Sequence, residues 1–381
     1  MNQPASQDAR RFAAMQTGDP APWFRQRATS HPNYSFDSVA GRYVVMLFLV
    51  GAGDDAGRSA VEAVLANAAL FDDATVCFFG VTVDPADQSE GRLRERIPGI
   101  RYFWDFDGTV SRLYGALPVD SKPGDRELPA RRFWLVLDPT LRIRAVFPFA
   151  VDGRHEPVFD YIRQLPPPAR FAGVEVNAPI LVLPDVFDID LCKRLIGLYD
   201  AHGGEISGFM QEEGGKTVAK HDPQRKVRRD YLIQDREIIQ LIQRHVRRKI
   251  APEIQRVHHF HATRMERYIV CCYSAEEGGH FFPHRDNTTK GTAHRRFAVS
   301  INLNDDFDGG ELSFPEYGAK SIKIPVGTAV VFSCSLMHAV SKVTRGRRYA
   351  FLPFLYDDAA AKIREANNPH LGEGVARYGG P

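Results

Sequence analysis

Cysteine is scarce and unpatterned in this sequence: five residues in 381, at Cys77, Cys192, Cys271, Cys272 and Cys334. No CxxC pair occurs, so neither a thiolate zinc site nor a disulfide framework is indicated. Cys271 and Cys272 are neighbours and would point to opposite faces of a strand, which argues against a bond between them. A reducing compartment suits such usage. No segment approaches the roughly 20 apolar residues of a membrane span. The opening residues, MNQPASQDARRFAAMQTGD, lack the apolar stretch of a signal peptide. A cytoplasmic protein with no membrane partner is expected. Charge of either sign is also short of dominance, at +2 net. The chain as a whole therefore carries no strong nucleic-acid signal. Two basic clusters, Lys226–Arg229 and Arg244–Lys249, read as solvated helix faces. No internal repeat is present.

What is there is apolar material enough for two cores, 44% of the residues, on a length that suggests two domains. Residues 18–165 alternate strand and helix signals. Tyr43–Val50 is a continuous apolar run, as in a strand buried on both faces. A glycine-rich loop, Gly51–Gly57, leads into helical spacing over Ser59–Phe71. Val76–Val83 reads as a second buried strand. Short helices are expected near Pro85–Ser89 and Val110–Leu113. Phe133–Leu137 and Ile143–Phe149 form a hairpin about Asp138-Pro139, and His155–Leu165 closes with a helix. This alternation predicts an α/β sheet. Pro166-Pro167-Pro168 marks a linker over 166–177. A mostly helical stretch is expected from Pro184 to Arg256. From Met265 the pattern becomes short strands with Gly/Pro turns, predicting a β-sandwich or barrel with helices outside. In it Phe297, Val299, Ile301 and Leu303 alternate with Ala298, Ser300 and Asn302, the pattern of a half-buried strand. A final strand is expected over Arg348–Tyr356. The expected divisions are an arm (1–17), an α/β domain (18–165), the linker, a mainly β domain (178–360) and a loose tail (361–381).

The segment FFPHRDN carries His284 and Asp286. Residues two apart in extended chain share a face, so an imidazole and a carboxylate can hold one ion. His338, in SLMHAV, can supply a third ligand. Two histidines and a carboxylate leave metal positions open, which suits Fe(II) oxygenases; a structural zinc would want four protein ligands. HxD by itself is a common chance pattern. Its company raises it. Ten residues after His338 comes Arg348, whose alternation with Ala350 and Leu352 favours an inward position. A buried guanidinium grips a dicarboxylic acid bidentately; the plain alternative is a surface arginine of the Arg345–Arg348 cluster.

The runs YSAEEGGHFFPHRDN, SINLNDDFDGGELSFPEYG and PVGTAVVFSCSLMHAVSKVTRGRRYAFLPFLYD resemble the prolyl 4-hydroxylase-type 2-oxoglutarate dioxygenases. The resemblance is firm over Met265–Asp358 and looser back to Ala178. It implies a double-stranded β-helix (jelly roll) with supporting helices. It implies that His284, Asp286 and His338 ligate Fe(II), that Arg348 binds the distal carboxylate of 2-oxoglutarate, and that Tyr273 contacts the same cosubstrate. Tyr273 equally suits a core aromatic. The implied reaction consumes 2-oxoglutarate and O2, releases succinate and CO2, and hydroxylates a substrate, with ascorbate as a possible reductant. That substrate, a protein or peptide side chain such as proline or a small molecule, is not named by the sequence. Specificity would lie in Gly208–Arg229 and Asn287–Arg296, with Arg295 and Arg296 as groove candidates. His258, His259 and His261 read as structural or surface residues, and Asn302 as an inward residue of unassigned role.

The front half, in GDPAPWF, GRYVVMLFLV, FFGVTVDPAD, DFDGTVSRLYGA and RFWLVLDPTLRI, resembles the peroxiredoxin branch of the thioredoxin fold. Such a protein needs a thiolate after its first long strand. GAGDDAGRSAVEAV offers none. Arg132 matches the family's thiolate-stabilising arginine without a thiolate to stabilise. Cys77, inside a buried strand, is expected to be inert. No peroxidase activity is expected, and docking or dimerisation is the implied role. A non-catalytic binding or sensor protein is the alternative for the whole chain.

Overall fold

The structure is a computed structural model that describes residues 12–122 and 129–379. Most of the expected N-terminal arm lies outside the described residues. The chain divides into two compact units, with the boundary at Asn177/Ala178.

The first unit is built on one five-stranded sheet. Its strands are β1 (Tyr43–Val50), β2 (Val76–Thr82), β3 (Ile100–Trp104), β4 (Phe133–Leu137) and β5 (Ile143–Pro148), in spatial order β3-β2-β1-β4-β5. β1 to β3 run parallel; β4 and β5 are antiparallel. This is the thioredoxin-like α/β arrangement. β1 is central and apolar throughout because both its faces are covered. Tyr43, Val45, Leu47 and Leu49 pack with Ala60, Val61 and Val64 of helix α1 (Asp55–Ala66) and with Val158, Phe159 and Ile162 of helix α2 (Glu156–Arg163). β3 is not among the expected strands. Arg101 interrupts its apolar run, yet that guanidinium is held by Asp73 through two 2.7 Å bonds and tolerates burial.

Helix α1 begins four residues before the expected Ser59. Asp54 caps it, accepting from Gly57 N at 2.7 Å. The same carboxylate meets Arg132, with Nη1 to Oδ1 at 3.0 Å and Nη2 to Oδ2 at 2.8 Å. Arg132 thus has an anion after all, and it is a carboxylate rather than a thiolate. At Gly57 a Cβ would fall against Gly51 O and Asp54 Oδ1, so the turn has closed over the space a side chain would need. All five cysteines are free and buried. Burial pushes the Cys77 thiol up to about 12.

The second unit has two sheets and supporting helices. The larger sheet includes β7 (Arg229–Leu232), β8 (Ile269–Ser274), β10 (Phe297–Asn302), β12 (Ala329–Ser333), β14 (Arg347–Phe351) and β15 (Phe354–Tyr356). The smaller contains β6 (Lys226–Val227), β9 (His280–His284), β11 (Leu312–Ser313) and β13 (His338–Val340). This is the jelly-roll arrangement. Helices α3 (Ile189–His202), α4 (Arg236–His245) and α5 (Ala251–His258) cover one face of the larger sheet. There Phe297, Val299 and Ile301 pack with Leu195, Ile242 and Ile254. The opposite face turns to the smaller sheet, as shown by the Phe332 ring 4.7 Å from that of His338.

Several expectations change. β10 is buried on both faces, so its polar alternates Ser300 and Asn302 line the interior rather than meet solvent. The helical stretch expected over Pro184–Arg256 holds strands between α3 and α4. Among them Phe209–Glu213 and Lys216–Lys220 pair about Gly214 and Gly215, whose φ of 56° and 76° suit a two-residue hairpin turn. The final strand is two, β14 and β15, separated at Pro353, which lacks the N–H a continuous ladder needs. Helix α6 (Asp358–Ala366) crosses into the expected loose tail, and beyond it Gly372 N is bonded to Thr217 O at 2.8 Å. Among the described residues no helix is long and apolar enough to cross a membrane.

With every thiol buried and a carboxylate facing Arg132, the native protein is expected to consume no peroxide in the presence of a thiol reductant. Alkylation by iodoacetamide should label its cysteines only after unfolding. Rapid labelling of Cys77 in the native protein would contradict this.

Candidate metal centre

β9 and β13 pair antiparallel with His284 directly opposite His338. A bulge between Phe281 and His284 re-aims the end of β9. Asp286 follows in the loop after β9, its backbone N bonded to Cys334 O at 3.0 Å. The three side chains offer ligand atoms within 4.8 Å of one another. Asp286 Oδ1 lies 3.6 Å from His284 Nε2, and Oδ2 lies 3.3 Å from His338 Nε2.

Both imidazoles are oriented from behind. His284 Nδ1 lies 2.8 Å from Phe282 O, and His338 Nδ1 lies 3.0 Å from Leu336 O. A carbonyl can only accept, so each Nδ1 carries the proton and each Nε2 presents its lone pair. Burial, with His338 alongside, holds His284 well below the usual imidazole range and therefore neutral. Two neutral nitrogens and one carboxylate, converging from one side, fit a divalent ion with open positions. Phe281 stacks on His284 with ring centroids 3.4 Å apart, and Phe332 meets His338, so apolar walls flank the donors.

A further cluster supports Asp286. Glu266 is buried and contacts Arg295 Nε at 2.8 Å, Arg364 Nη2 at 2.6 Å and His294 Nε2 at 3.1 Å. Arg295 Nη1 reaches Asp286 O at 3.4 Å. Arg295 is thus a buried structural arginine and not a groove residue, and Arg296 donates to Ala293 O at 2.8 Å. His258, His259 and His261 are exposed and are not among the grouped donors.

Arg348, on β14, is buried at 3% exposure. Nε and Nη2 donate to Asn302 Oδ1 at 3.2 and 3.1 Å, and Nη2 also donates to Ser300 Oγ at 3.1 Å. These acceptors are neutral. They fix the guanidinium plane without cancelling its charge, and among the described residues no carboxylate pairs with it. Burial accordingly lowers its pKa. Asn302 gains a role that the sequence did not assign: it also donates to Ile324 O at 2.9 Å and so anchors Arg348. Tyr273, on β8, lies directly opposite Arg348 in register, with that guanidinium 5.6 Å from its ring centre. A buried cation lacking an anion, in the same unit as a site for a divalent ion, fits a dicarboxylic cosubstrate.

Residues 268–356 match the family model of the 2OG-Fe(II) oxygenase superfamily. A PKHD-type hydroxylase of Cupriavidus metallidurans is 38% identical over 89 residues, which is 20% of this chain and 39% of the relative. Another from Pseudomonas fluorescens is 40% identical over 91 residues, 22% of this chain and 39% of the relative. The chain thus spans about two-fifths of the length of these curated relatives. Among solved structures, a prolyl hydroxylase from Trichoplax adhaerens covers 49% of this chain and 85% of its own at 18% identity, with a TM-score of 0.39. The peroxidoxin BcpB from Mycobacterium tuberculosis covers 40% of this chain and 99% of its own at 19% identity, with a TM-score of 0.34.

Removing one donor should be decisive. Asp286→Ala is expected to weaken Mn(II) binding, followed by anaerobic calorimetry, beyond the about 10–100-fold that loss of an outer partner costs. Unchanged Mn(II) affinity would take Asp286 out of the metal site. Residues 268–356, within the second unit of this chain, are thus similar to the 2OG-Fe(II) oxygenase superfamily, whose cofactors, iron(II) and 2-oxoglutarate, suit the donor set of His284, Asp286 and His338.

Proposed function

We propose that the protein is an Fe(II)- and 2-oxoglutarate-dependent hydroxylase. Its reaction would convert 2-oxoglutarate, O2 and a C–H substrate into succinate, CO2 and the hydroxylated product. One oxygen atom enters succinate and the other the product. The observation that carries this reading is the pairing of a two-histidine, one-carboxylate donor set with a buried, unneutralised guanidinium in the same jelly roll. Bound iron would supply the activation of O2, coupled to oxidation of the keto acid.

The residues' own tasks follow from their chemistry. His284, Asp286 and His338 hold the ion from one side and leave the remainder free for small ligands. Arg348 binds the distal carboxylate, its plane set by Asn302 and Ser300, and thereby orients the keto acid end. Tyr273 adds a hydrogen-bond donor beside it. Phe281 and Phe332 keep water from the donors.

The substrate class we propose is a protein or peptide side chain, proline among the candidates, or a small molecule. Its specificity would come from Asn287–Arg296 and the hairpin within Gly208–Arg229. For the first unit, which presents no reactive thiol, we propose docking of a partner or dimerisation. Five free, buried cysteines support a cytoplasmic setting.

Succinate release with Fe(II), 2-oxoglutarate and ascorbate tests the reading, together with a search for +16 Da products in a cell extract. His284→Ala and His338→Ala are expected to abolish turnover. Arg348→Ala is expected to raise the 2-oxoglutarate requirement at least about tenfold, the scale of a lost charge-assisted hydrogen bond. An unchanged requirement would refute the carboxylate grip. Absence of both 2-oxoglutarate turnover and Fe(II) binding in the wild type would refute the reaction.

A further inference from the structure

Three residues stand in a row across adjacent strands of the larger sheet: Arg228 just before β7, Tyr273 on β8 and Arg348 on β14. Tyr273 is the register partner of Arg348, and Arg228 precedes the Arg229–Cys272 pair. The two guanidiniums lie 5.7 and 5.6 Å from the tyrosine ring centre.

The hydrogen bond between Arg228 and Tyr273 has a forced polarity. Nη1 of Arg228 is 3.3 Å from the Tyr273 hydroxyl. A guanidinium has donors and no acceptor, so the phenol oxygen accepts. The phenol proton must point elsewhere. Tyr273 is 1% exposed, so bulk water does not take it, and among the described residues no oxygen accepts it. A buried donor left unmet costs about 1–3 kcal/mol. An anion held by Arg348 would meet it.

Arg228 is itself locked. Nη2 donates to Asp230 Oδ2 at 2.7 Å and to Ser207 Oγ at 3.1 Å. Nε lies 2.7 Å from Asp230 Oδ1 as an ion pair, without hydrogen-bond alignment. Ser207 Oγ donates to Asp230 at 2.6 Å, and Arg267 Nη2 donates to it at 3.0 Å. Lys226 Nζ donates to Ser207 Oγ at 2.7 Å and Gly208 O at 2.6 Å. Burial would raise Asp230, but the surrounding cations outweigh it and keep the carboxylate ionised. Arg228 therefore differs from Arg348: its charge is balanced, and its free direction is toward the tyrosine.

We propose that Arg228 is a positioning residue for cosubstrate binding. By filling the acceptor side of the Tyr273 hydroxyl, it turns the phenol proton toward the carboxylate that Arg348 holds. This rests on the 2-oxoglutarate reading given above. It adds Ser207, Asp230 and Arg228 as the support behind Tyr273.

The test is 2-oxoglutarate binding to the Mn(II)-loaded full-length protein without oxygen, by calorimetry. Arg228→Met is expected to raise the Kd about tenfold, and Tyr273→Phe is expected to do the same. The double variant should be no weaker than Tyr273→Phe alone, because both changes remove one device. Arg228→Lys, which keeps a donor, should recover part of the affinity. Binding of 2-oxobutanoate, which keeps the keto acid and lacks the distal carboxylate, should be the same in wild type and Arg228→Met. Arg228→Met removes one of the cations that balance Asp230, so Arg228→Met/Asp230→Asn provides the same measurement without that imbalance. Additive losses in the double variant, or equal weakening toward 2-oxobutanoate, would overturn the proposal. Failure of the wild type to bind 2-oxoglutarate would instead refute the parent reading.

Discussion

The second unit depends on one cross-strand pair. Register between β9 and β13 sets His284 opposite His338, and a slip of one residue would turn one imidazole to the outer face. The bulge at the end of β9 then lets Asp286 come round to both rings. Carbonyls at Phe282 and Leu336 fix the tautomers, and the rings of Phe281 and Phe332 fix the planes. The donor set is therefore preorganised by backbone pairing rather than by the ion alone, the condition a site needs to hold its geometry while ligands exchange.

Around that pair the unit carries an unusual load of buried charge. Glu266 is ringed by Arg295, Arg364 and His294; Asp230 is ringed by Arg228, Arg267 and Ser207. Each network balances the charge of its carboxylate and stiffens a strand next to the site. Arg348 breaks the pattern. It is held by neutral oxygens only, so its charge is kept available. A buried cation of this kind is costly unless an anion arrives, and that imbalance is the physical signature of a binding position.

The first unit shows the reverse process. The sheet and the capping turn of a thioredoxin-like fold are intact, yet Asp54 occupies Arg132 and the turn at Gly57 leaves no space for a side chain. Cap and ion pair now serve the fold. The arginine that the sequence presented as partnerless is part of the structural hydrogen bonding.

Local chemistry made much of this protein legible in its sequence. Tyr43–Val50 reads as a central strand because eight apolar residues can be buried only there. HxD followed by a distant histidine and then arginine reads as a metal and carboxylate constellation because few other arrangements use those groups together. Arg101 in β3, the Gly214-Gly215 turn and the break at Pro353 carried signals that were weaker than the surrounding pattern. Other features had no local signal. The alternation over Phe297–Asn302 is the same whether the polar face meets water or a second sheet, and only the opposing sheet makes Ser300 and Asn302 the anchor of Arg348. Likewise Arg228 and Lys226 look like a solvated basic cluster in sequence. Their burial, and the direction of the Arg228 hydrogen bond, follow from strand neighbours such as Tyr273 and Phe281, far away along the chain. The sequence by itself determined which groups could hold iron and a dicarboxylate. The tertiary structure decided which charges are balanced and which is left for a ligand, because charge balance is a property of spatial neighbours.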